Sequence, residues 1–275
     1  MIATDLRQAE EYAAYMRAIG WQAEKGMFIR RLPLVPWRFI KIQRQKPPIN
    51  LKAAEKYKAI QIKLEPAFED KTDYQALGFK RYKTPMLPSK TIWLDLTKNK
   101  RQLLKEMHYK TRYNLRKHEI RNSKFEIFRG DKITNWQLRE FYAIYRENCR
   151  RQHFWGINFN QLKSLFRCFG EKAWLLATNE GGLEILIHEK VAYYSHNAAT
   201  QEGKRMFVPT LLTWEAIKLA KKLGCTRFDF EGIDEQRWPG FTRFKRSFGG
   251  IEVKYKGSFT KYFFKEVLWP QKSRP

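Results

Sequence analysis

The stretch that decides the fold is residues 208–230, VPTLLTWEAIKLAKKLGCTRFDF. Pro209 suits the first turn of a helix, where its missing amide is not needed. Apolar side chains then recur at helical spacing, and Gly224 follows where a helix commonly ends on glycine. Cys225 to Phe230 is an apolar strand, and a strand at Val191 to Ala198 precedes the helix. Residues 191–230 therefore predict a strand–helix–strand crossover.

Short apolar runs upstream predict further strands of the same sheet. Ala173 to Thr178, Leu183 to His188 and Val191 to Ala198 are joined by Asn-Glu-Gly-Gly and Glu-Lys turns. Such spacing is typical of an antiparallel meander. A meander followed by a crossover predicts an α/β fold of the mixed α+β kind, with mixed sheets flanked by helices.

The first third of the chain has its own pattern. A helix is predicted from Asp5 to Ile19, and strands from Met27 to Leu32, Trp37 to Gln43 and Ala59 to Leu64. Two prolines between Lys83 and Lys90 indicate a connector, and we place a domain boundary there.

The chain beyond this connector begins with a strand at Thr91 to Leu96. Thr97 can cap a helix that runs from Asn99 through the 110s.

The charge of the chain points to an anionic partner. The 275 residues include 54 Lys and Arg against 28 Asp and Glu, a formal charge of +26. A surplus of this size repels itself in the compact state, so a nucleic acid, an anionic membrane face or a phosphorylated substrate would explain it. The content of 43% hydrophobic residues is that of a globular protein.

Cysteine usage and the N-terminus indicate a reduced cytoplasmic setting. Cys149, Cys168 and Cys225 are far apart, and no CxxC or Cys/His cluster predicts zinc or a disulfide framework. The N-terminus has no apolar core of a signal peptide, and no apolar run approaches the ~18 residues of a membrane span. Contact with a membrane would therefore be peripheral.

Two cationic clusters are candidates for binding. In residues 105–121, KEMHYKTRYNLRKHEIR, Arg112 and Arg116 lie four apart and could grip one phosphate. A solvated basic helix face is the alternative. In residues 243–250, RFKRSFGG, three cations stand between two phenylalanines. That cluster could grip an anion beside an apolar pocket, or Phe244 and Phe248 could simply pack in the core.

Signatures of nucleophilic or metal catalysis are missing from the sequence. There is no GxSxG, no Walker GxxxxGK[ST] and no HExxH. His188 and His196 lie within the meander, where a structural role is the simpler interpretation. Asp229 and Glu231 end a strand, a place where ligands tend to bind in open α/β sheets.

Four stretches taken in order resemble the Fem family, the FemABX peptidyltransferases. Residues 90–117, KTIWLDLTKNKRQLLKEMHYKTRYNLRK, are similar to its strand and KTRYN-type helix, and 141–156, FYAIYRENCRRQHFWG, to its next helix. Residues 208–233 resemble its WEAI…DFxGI run, and 240–250, GFTRFKRSFGG, its FKxxFGG segment. The resemblance extends from about Gly78 to Phe259.

The resemblance implies a fold and a reaction. It implies two domains of the acetyltransferase (GNAT) type, here residues 1–88 with 252–275 and residues 89–251. The implied enzyme is an aminoacyltransferase of cell-wall peptidoglycan synthesis. It moves an amino acid from aminoacyl-tRNA to an amine of the stem peptide, on lipid II or UDP-MurNAc-pentapeptide. An aminoacyl ester is already activated, so no cofactor and no metal are expected.

The family's motifs also imply roles for individual residues. Phe244 and Lys245 match its catalytic Phe-Lys pair, in which Lys245 would stabilise the charge that develops during transfer. Lys110, Thr111 and Arg112 match the segment that grips the acceptor's phosphates. Arg116, on the same helical face as Arg112, is added as an acceptor-binding residue, as are Arg17 and Trp21. The surplus cations would hold the tRNA backbone, and the proposed tRNA-binding residues are Arg243, Arg246, Lys204 and Arg205.

Two departures and two rivals stay open at this point. The long helical arm of some family members has no counterpart in the sequence, and the N-terminal acceptor contacts, Arg17 and Trp21, rest on no motif. An acyl-CoA-dependent GNAT N-acyltransferase and a non-catalytic RNA- or membrane-surface-binding protein are the alternatives. We expect a cytoplasmic monomer, with contact at the inner face of the plasma membrane left open.

Overall fold

The computed structural model describes residues 4–24, 26–45, 47–49, 51–52, 56–121 and 124–263, and of residues 119–121 the backbone only. Two compact units divide the chain. The larger unit is Met1–Thr4 with Lys90–Val253, and the smaller unit is Asp5–Ser89 with Lys254–Pro275. Residues 264–275, which the sequence places in the first domain, lie outside the described residues.

The smaller unit is built on one mixed sheet. Its strand order is β1-β2-β3-β4-β13-β5, in which β3 and β4 run parallel and their neighbours antiparallel. Ile40, Ile62 and Leu64 are fully buried at the centre of the sheet. Its elements are a 3₁₀ turn Leu6–Gln8, helix α1 Glu10–Ala18 and strands β1 Gln22–Glu24, β2 Met27–Arg31, β3 Arg38–Gln43, β4 Ala59–Glu65, β5 Lys80–Tyr82 and β13 Ser258–Tyr262.

The larger unit contains a seven-stranded sheet. Its strands are β6 Lys90–Asp95, β7 Glu126–Arg129, β8 Ala173–Thr178, β9 Gly181–His188, β10 Val191–Ala199, β11 Arg227–Asp229 and β12 Ile251–Lys254. Their order in the sheet is β12-β6-β11-β10-β9-β8-β7. Its helices are α2 Lys100–Glu106, α3 Tyr109–Arg121, α4 Asn135–Arg151, α5 Phe159–Phe169, α6 Gln201–Arg205, α7 Val208–Lys222 and α8 Pro239–Arg246, with a 3₁₀ turn Gly170–Lys172.

The predicted crossover forms as β10, α7 and β11. Strands β10 and β11 pair in parallel, and β8, β9 and β10 form the antiparallel meander. Ala216, Ile217 and Ala220 of α7 are fully buried against the sheet, because they lie on one helical face. Gly224 ends the helix with φ +79°, in the left-handed region that favours glycine.

The helix predicted after β6 differs from the structure in two ways. Asn99 rather than Thr97 caps α2, since Asn99 and Gln102 form a reciprocal capping box. The helix is also broken, because Met107 is extended with ψ 149° and α3 begins anew at Tyr109. The amide of His108 in the break donates to the carbonyl of Ser247, 2.8 Å away, so a contact remote in sequence fixes the break.

The mixed α/β fold with two helix-flanked mixed sheets confirms the predicted fold class. Within the part of the chain that the structure describes, the longest helix is α4 with 17 residues, and a long helical arm is absent there.

Candidate active site

The candidate site begins where two parallel strands separate. Strands β10 and β11 pair only over Val191↔Arg227, Ala192↔Phe228 and Tyr193↔Asp229. Strand β10 then continues to Ala199 without β11 beside it. Such an opening at the carboxyl ends of parallel strands is a common position for a ligand in α/β sheets.

Lys245 of α8 points into this opening and is 1% exposed. Its Nζ donates to the carbonyl of Phe230 and, at 2.7 Å, to that of Gly232. The ring centroids of Phe241 and Tyr194 lie 4.1 and 5.1 Å from Nζ. Lysine side chains normally face solvent, so this degree of burial is unusual. The inner face of α8 carries Lys245 toward the carbonyls that follow the end of β11.

Burial changes the acidity of this lysine. Desolvation lowers the pKa of Lys245 to about 7, while the charges of Glu231 and Asp229 act in the opposite sense. The ammonium and the amine are therefore both populated near neutral pH. A side chain in that state can carry the charge that the proposed chemistry needs, and it can also exchange a proton.

A buried carboxylate shapes the turn that holds Lys245. Asp229 is 2% exposed, and its Oδ1 accepts from Thr91 Oγ1 at 2.5 Å and from the amide of Glu231 at 2.8 Å. Its Oδ2 accepts from Trp93 Nε1 at 2.8 Å. Glu231 has φ +57°, an uncommon value for this residue type. Asp229 thus fixes the turn whose carbonyls receive the lysine.

The rest of the FKxxFGG segment has a packing explanation. Phe248 is fully buried, and the half-buried Phe244 packs edge-on against it at 5.3 Å between ring centroids. At Gly250, with φ +88°, a Cβ would lie 2.6 Å from the carbonyl oxygen of Trp93. The glycine is therefore required by the close approach of the β6 backbone.

Lys110, Thr111 and Arg112 lie in the first turn of α3. Thr111 is buried, whereas Lys110 and Arg116 are exposed. The Arg112 guanidinium donates to the carbonyl of Met107 and lies 3.5 Å from those of Leu104 and Lys105, so it caps the end of α2. Arg116 is thus the better placed of the two arginines for an outside anion.

The two N-terminal acceptor candidates lie in the smaller unit. Arg17 is exposed and contacts Glu10. Two cations lie over the Trp21 ring: Lys41 Nζ is 4.5 Å and Arg30 Cζ is 5.5 Å from the ring centroid. Burial, followed by the charge of Arg7, lowers the pKa of Lys41 to about 8. The role of Arg17 and Trp21 stays a prediction.

The four cations predicted to bind tRNA have different surroundings. Arg246 contacts Glu235 and Glu252, whose hydrogen bonds raise its pKa. Arg205 lies 3.4 Å from Glu202. Arg243 and Lys204 are exposed. Partial burial and then Arg151 lower the pKa of Lys204. A guanidinium already held by two carboxylates is a weaker phosphate ligand, so Arg243 is the better candidate on α8.

A cation-lined groove that the sequence did not single out lies between α4 and α5. It has a volume of about 540 Å³ and is lined by Arg139, Tyr142, Ala143, Arg146, Asn158, Phe159 and Asn160. Arg139 Cζ lies 4.5 Å from the centroid of the Phe159 ring. The sequence of residues 139–146, REFYAIYR, could have indicated this groove. Its two arginines and Tyr142 lie three, four or seven residues apart, so they share one face of the helix.

Most backbone amides at the junction of α6 and α7 already donate hydrogen bonds within the chain. The amides of Met206 and Phe207 donate to Glu202 and Lys204, and those of Thr210 and Leu211 to Phe207. Pro209 has no amide to offer. The backbone donors that hold acyl-CoA phosphates at such a helix start are therefore largely engaged within the chain.

Metal binding and membrane crossing are two further possibilities for a chain of this kind. Among the described residues, His, Cys, Asp and Glu form no group of three that could hold a metal ion. None of the helices in the described ranges is long and apolar enough to cross a bilayer.

Comparisons with known proteins agree with this fold. Residues 180–269 match the FemAB family. No curated protein matches the sequence significantly. The crystal structure of FemX superposes with a TM-score of 0.77 at 17% identity, covering 98% of this chain and 95% of that one.

More remote structures show the same architecture. L-PGS from Bacillus licheniformis gives a TM-score of 0.58 at 11% identity, over 94% of this chain and 92% of that one. A tandem GNAT protein from the clavulanic acid biosynthesis pathway gives a TM-score of 0.51 at 10% identity. The match covers 86% of this chain and 78% of that one. The resemblance to the Fem family is thereby confirmed: residues 180–269 match the FemAB family, and the fold is shared with FemX.

Proposed function

We propose that this protein moves an amino acid from aminoacyl-tRNA to an amine of the peptidoglycan stem peptide, carried by lipid II or UDP-MurNAc-pentapeptide. The observation that carries the proposal is Lys245. It is the one lysine of the FKxxFGG segment, and it lies in the strand opening of the FemAB-matching region with a pKa of about 7. The FemAB match is the reason for choosing aminoacyl transfer among acyltransferase reactions.

The chemistry asked of Lys245 is electrostatic. Attack of an amine on the ester carbon gives a tetrahedral intermediate with a negative oxygen, which collapses by releasing the 3′-oxygen of the terminal adenosine. A positioned ammonium stabilises either oxygen, and this kind of contact commonly contributes ~10²–10³ in rate. Substrate must displace part of the aromatic cover over Lys245 for direct contact, so we propose that Phe241 moves when the aminoacyl end binds. Phe241 is the better candidate because it is 38% exposed, whereas Tyr194 is buried.

Three features support tRNA as the donor. The formal charge of +26 suits a polyanion. The amides at the α6–α7 junction are engaged, which disfavours acyl-CoA. The groove between α4 and α5 offers Arg139 and Arg146 beside Tyr142 and Phe159, and arginine with aromatic rings is a combination that binds RNA.

The acceptor side rests on fewer contacts. We propose that Lys110 and Arg116, which are exposed at α3, bind the acceptor's phosphates, and that Thr111 and Arg112 hold the helix start in place. Arg17 and Trp21, in the smaller unit, are proposed as further acceptor-binding residues. The proposed setting is the cytoplasm, as a monomer, with peripheral contact at the inner membrane face when the acceptor is lipid II.

The direct test is a transfer assay. The protein is incubated with mixed charged tRNAs and either lipid II or UDP-MurNAc-pentapeptide, and the acceptor is analysed by mass spectrometry. We expect a mass increase of one or more aminoacyl residues on one acceptor, and none with uncharged tRNA. If neither lipid II nor UDP-MurNAc-pentapeptide is modified in the presence of charged tRNAs, the proposal is contradicted.

A parallel measurement separates the acyl-CoA alternative. Acetyl-CoA at millimolar concentration should not raise the melting temperature of the protein. The protein should bind tRNA, and its affinity for tRNA should fall steeply as the salt concentration rises. Saturable acetyl-CoA binding without salt-sensitive tRNA binding would favour the acyl-CoA N-acyltransferase.

A further inference from the structure

A buried carboxylate and a histidine are paired on the strands beside the opening. Glu184 of β9 has no exposed surface, and its Oε2 lies 2.9 Å from Nδ1 of His196 on β10. Ser195 Oγ lies 3.0 Å from the same nitrogen. A buried carboxylate costs folding energy unless it is well paired, and Oε1 of Glu184 has no hydrogen-bond partner within the described residues. A purely structural position would be better filled by an apolar side chain.

The pair fixes the state of the imidazole ring. A carboxylate only accepts hydrogen bonds, so Nδ1 of His196 carries the hydrogen that points at Glu184. The other nitrogen, Nε2, is then the basic one in the neutral ring. Within the described residues Nε2 has no hydrogen bond, and the His196 side chain is 23% exposed. Nε2 is thus the ring nitrogen that Glu184 does not engage.

His196 lies at an irregularity of the sheet. Tyr194 pairs with Ile185 and Asn197 with Leu183, so β10 carries one residue more than β9 between these pairs. Bulges of this kind commonly re-aim a side chain next to an active site. His196 follows the last β10–β11 pair, at Tyr193, and stands two residues from Tyr194, the ring that Lys245 approaches.

The surroundings of the ring are largely aromatic. Tyr145 of α4 packs edge-on at 5.5 Å between ring centroids, and Phe154 packs against Tyr145 at 6.4 Å. Phe154 in turn packs at 6.0 Å against Trp238, the residue before α8. The titratable groups that face or adjoin the ring are Glu184 from β9 and Tyr145 and Cys149 from α4. Burial raises the pKa of the tyrosine and of the cysteine, which keeps both neutral at physiological pH.

We propose that His196 is the general base of the transfer, and that Glu184 is the positioning residue that orients it. The inference rests on the proposed function, since aminolysis of an ester needs an unprotonated amine. A lysine-type amine has a pKa near 10.4, so at pH 7 only about one molecule in 2,500 is free to attack. Nothing in the FKxxFGG segment accounts for removal of that proton if Lys245 stabilises the oxyanion.

The proton and bond balance is complete. Nε2 of His196 takes one proton from the acceptor ammonium, and the freed amine forms a bond to the ester carbon. The tetrahedral intermediate then passes its second nitrogen proton to the departing 3′-oxygen as the carbon–oxygen bond breaks. The products are an amide, a tRNA with a free 3′-hydroxyl and a protonated His196, which returns its proton to solvent.

The test uses His196→Gln in single-turnover transfer across a range of pH. At pH 7 we expect the rate with the stem-peptide amine to fall by about 10²–10³, within the usual contribution of a general base. The deficit should shrink as the pH rises toward the amine's own pKa. With hydroxylamine, which is unprotonated at neutral pH, the variant should approach the wild-type enzymatic rate. Glu184→Gln should cause a smaller loss with the same pH trend.

Controls separate the inference from the proposed function. His188→Gln removes a histidine of the neighbouring strand β9 and should leave both rates unchanged. Melting temperature and tRNA affinity of His196→Gln show that the variant is folded. If the wild type transfers to the stem peptide but His196→Gln loses the same factor at every pH and with both nucleophiles, or loses nothing, the general-base assignment is wrong. If the wild type transfers to neither nucleophile, the proposed function fails, and the inference fails with it.

Discussion

The α8 segment, residues 239–250, has three cations and the α3 segment, residues 109–117, has four, but the two segments hold their charge in opposite ways. In the α8 segment the central lysine is buried, and Arg246 is held by two carboxylates. In the α3 segment the buried residues are the neutral Thr111 and Leu115, and Lys110 and Arg116 face solvent. A buried cation interacts strongly with nearby charges because water does not screen it. Exposed cations are screened by water and salt, but they are accessible to a ligand. The difference supports the proposal that the α8 segment takes part in the chemistry and the α3 segment in binding.

The largest expected effect is that of Lys245→Ala. Turnover should fall by about 10²–10³ because a charge beside the reacting atoms is lost. The variant should also unfold more easily, by about 1–3 kcal/mol, since the carbonyls of Phe230 and Gly232 lose their donor. Single-turnover rates and denaturant unfolding measure the two effects. Lys222→Ala removes an exposed lysine at the end of α7 and serves as the control, which should change neither quantity by a comparable amount. Near-normal turnover of Lys245→Ala removes the residue from the mechanism.

The next effect tests the α3 segment. Arg116→Ala should raise the KM for the acceptor by roughly 10- to 100-fold, because a hydrogen bond to a charged group is worth about 1.5–3 kcal/mol. Arg112→Ala should in addition lower stability, since its guanidinium caps α2. Arg101→Ala removes an exposed arginine of the neighbouring helix and serves as the control. An unchanged acceptor KM in Arg116→Ala would make α3 an ordinary solvated face.

The pH dependence of stability is a finer test of the burial of Lys245. Its pKa in the folded chain is about 7, below the ordinary 10.5, so between these values the unfolded chain binds more protons. The free energy of unfolding contributed by this group therefore rises with pH across that window. Relative to Lys245→Met, the wild type should gain about 1 kcal/mol between pH 7 and 8. Lys110→Met, at an exposed site, should run parallel to the wild type. Parallel curves for wild type and Lys245→Met would contradict the shift.

The smallest expected effect concerns the groove between α4 and α5. The double variant Arg139→Ala/Arg146→Ala should weaken tRNA binding a few-fold. The slope of log affinity against log salt should fall by roughly 1.5 units, about 0.7–0.9 for each of the two phosphates that the variant no longer neutralises. Lys163→Ala/Arg167→Ala removes the same charge from exposed positions of α5 and should change binding less. Equal effects of the two variants would reduce the groove to general surface charge.

Local patterns predicted most elements of the larger unit. The meander and the β10–α7–β11 crossover follow from apolar periodicity, and the strand predicted at Ala173 to Thr178 has the same limits in the structure. The break between α2 and α3 could not be predicted in this way. It depends on the contact of His108 with Ser247, which lies far away in sequence.

The candidate site was predicted in part. The sequence resemblance drew attention to Lys245, and the structure places that residue at the strand opening. Its burial was missed because lysine normally faces solvent, and only the assembled sheet leaves two carbonyls where β11 ends. Glu184 was missed because a single acidic residue in an apolar strand gives no periodic signal.

The aromatic cover over Lys245 has a consequence for the lifetime of the enzyme. A lysine with a pKa of about 7 is largely a free amine above neutral pH, and a free amine beside an activated ester would itself become acylated. Phe241 and Tyr194 stand over Nζ, which directs its hydrogen bonds to the backbone carbonyls of Phe230 and Gly232 rather than to solvent. The cover therefore shields the amine between turnovers. Once Phe241 has moved aside for the proposed substrate, the hydrogen bonds to the two carbonyls would hold the amine away from the ester.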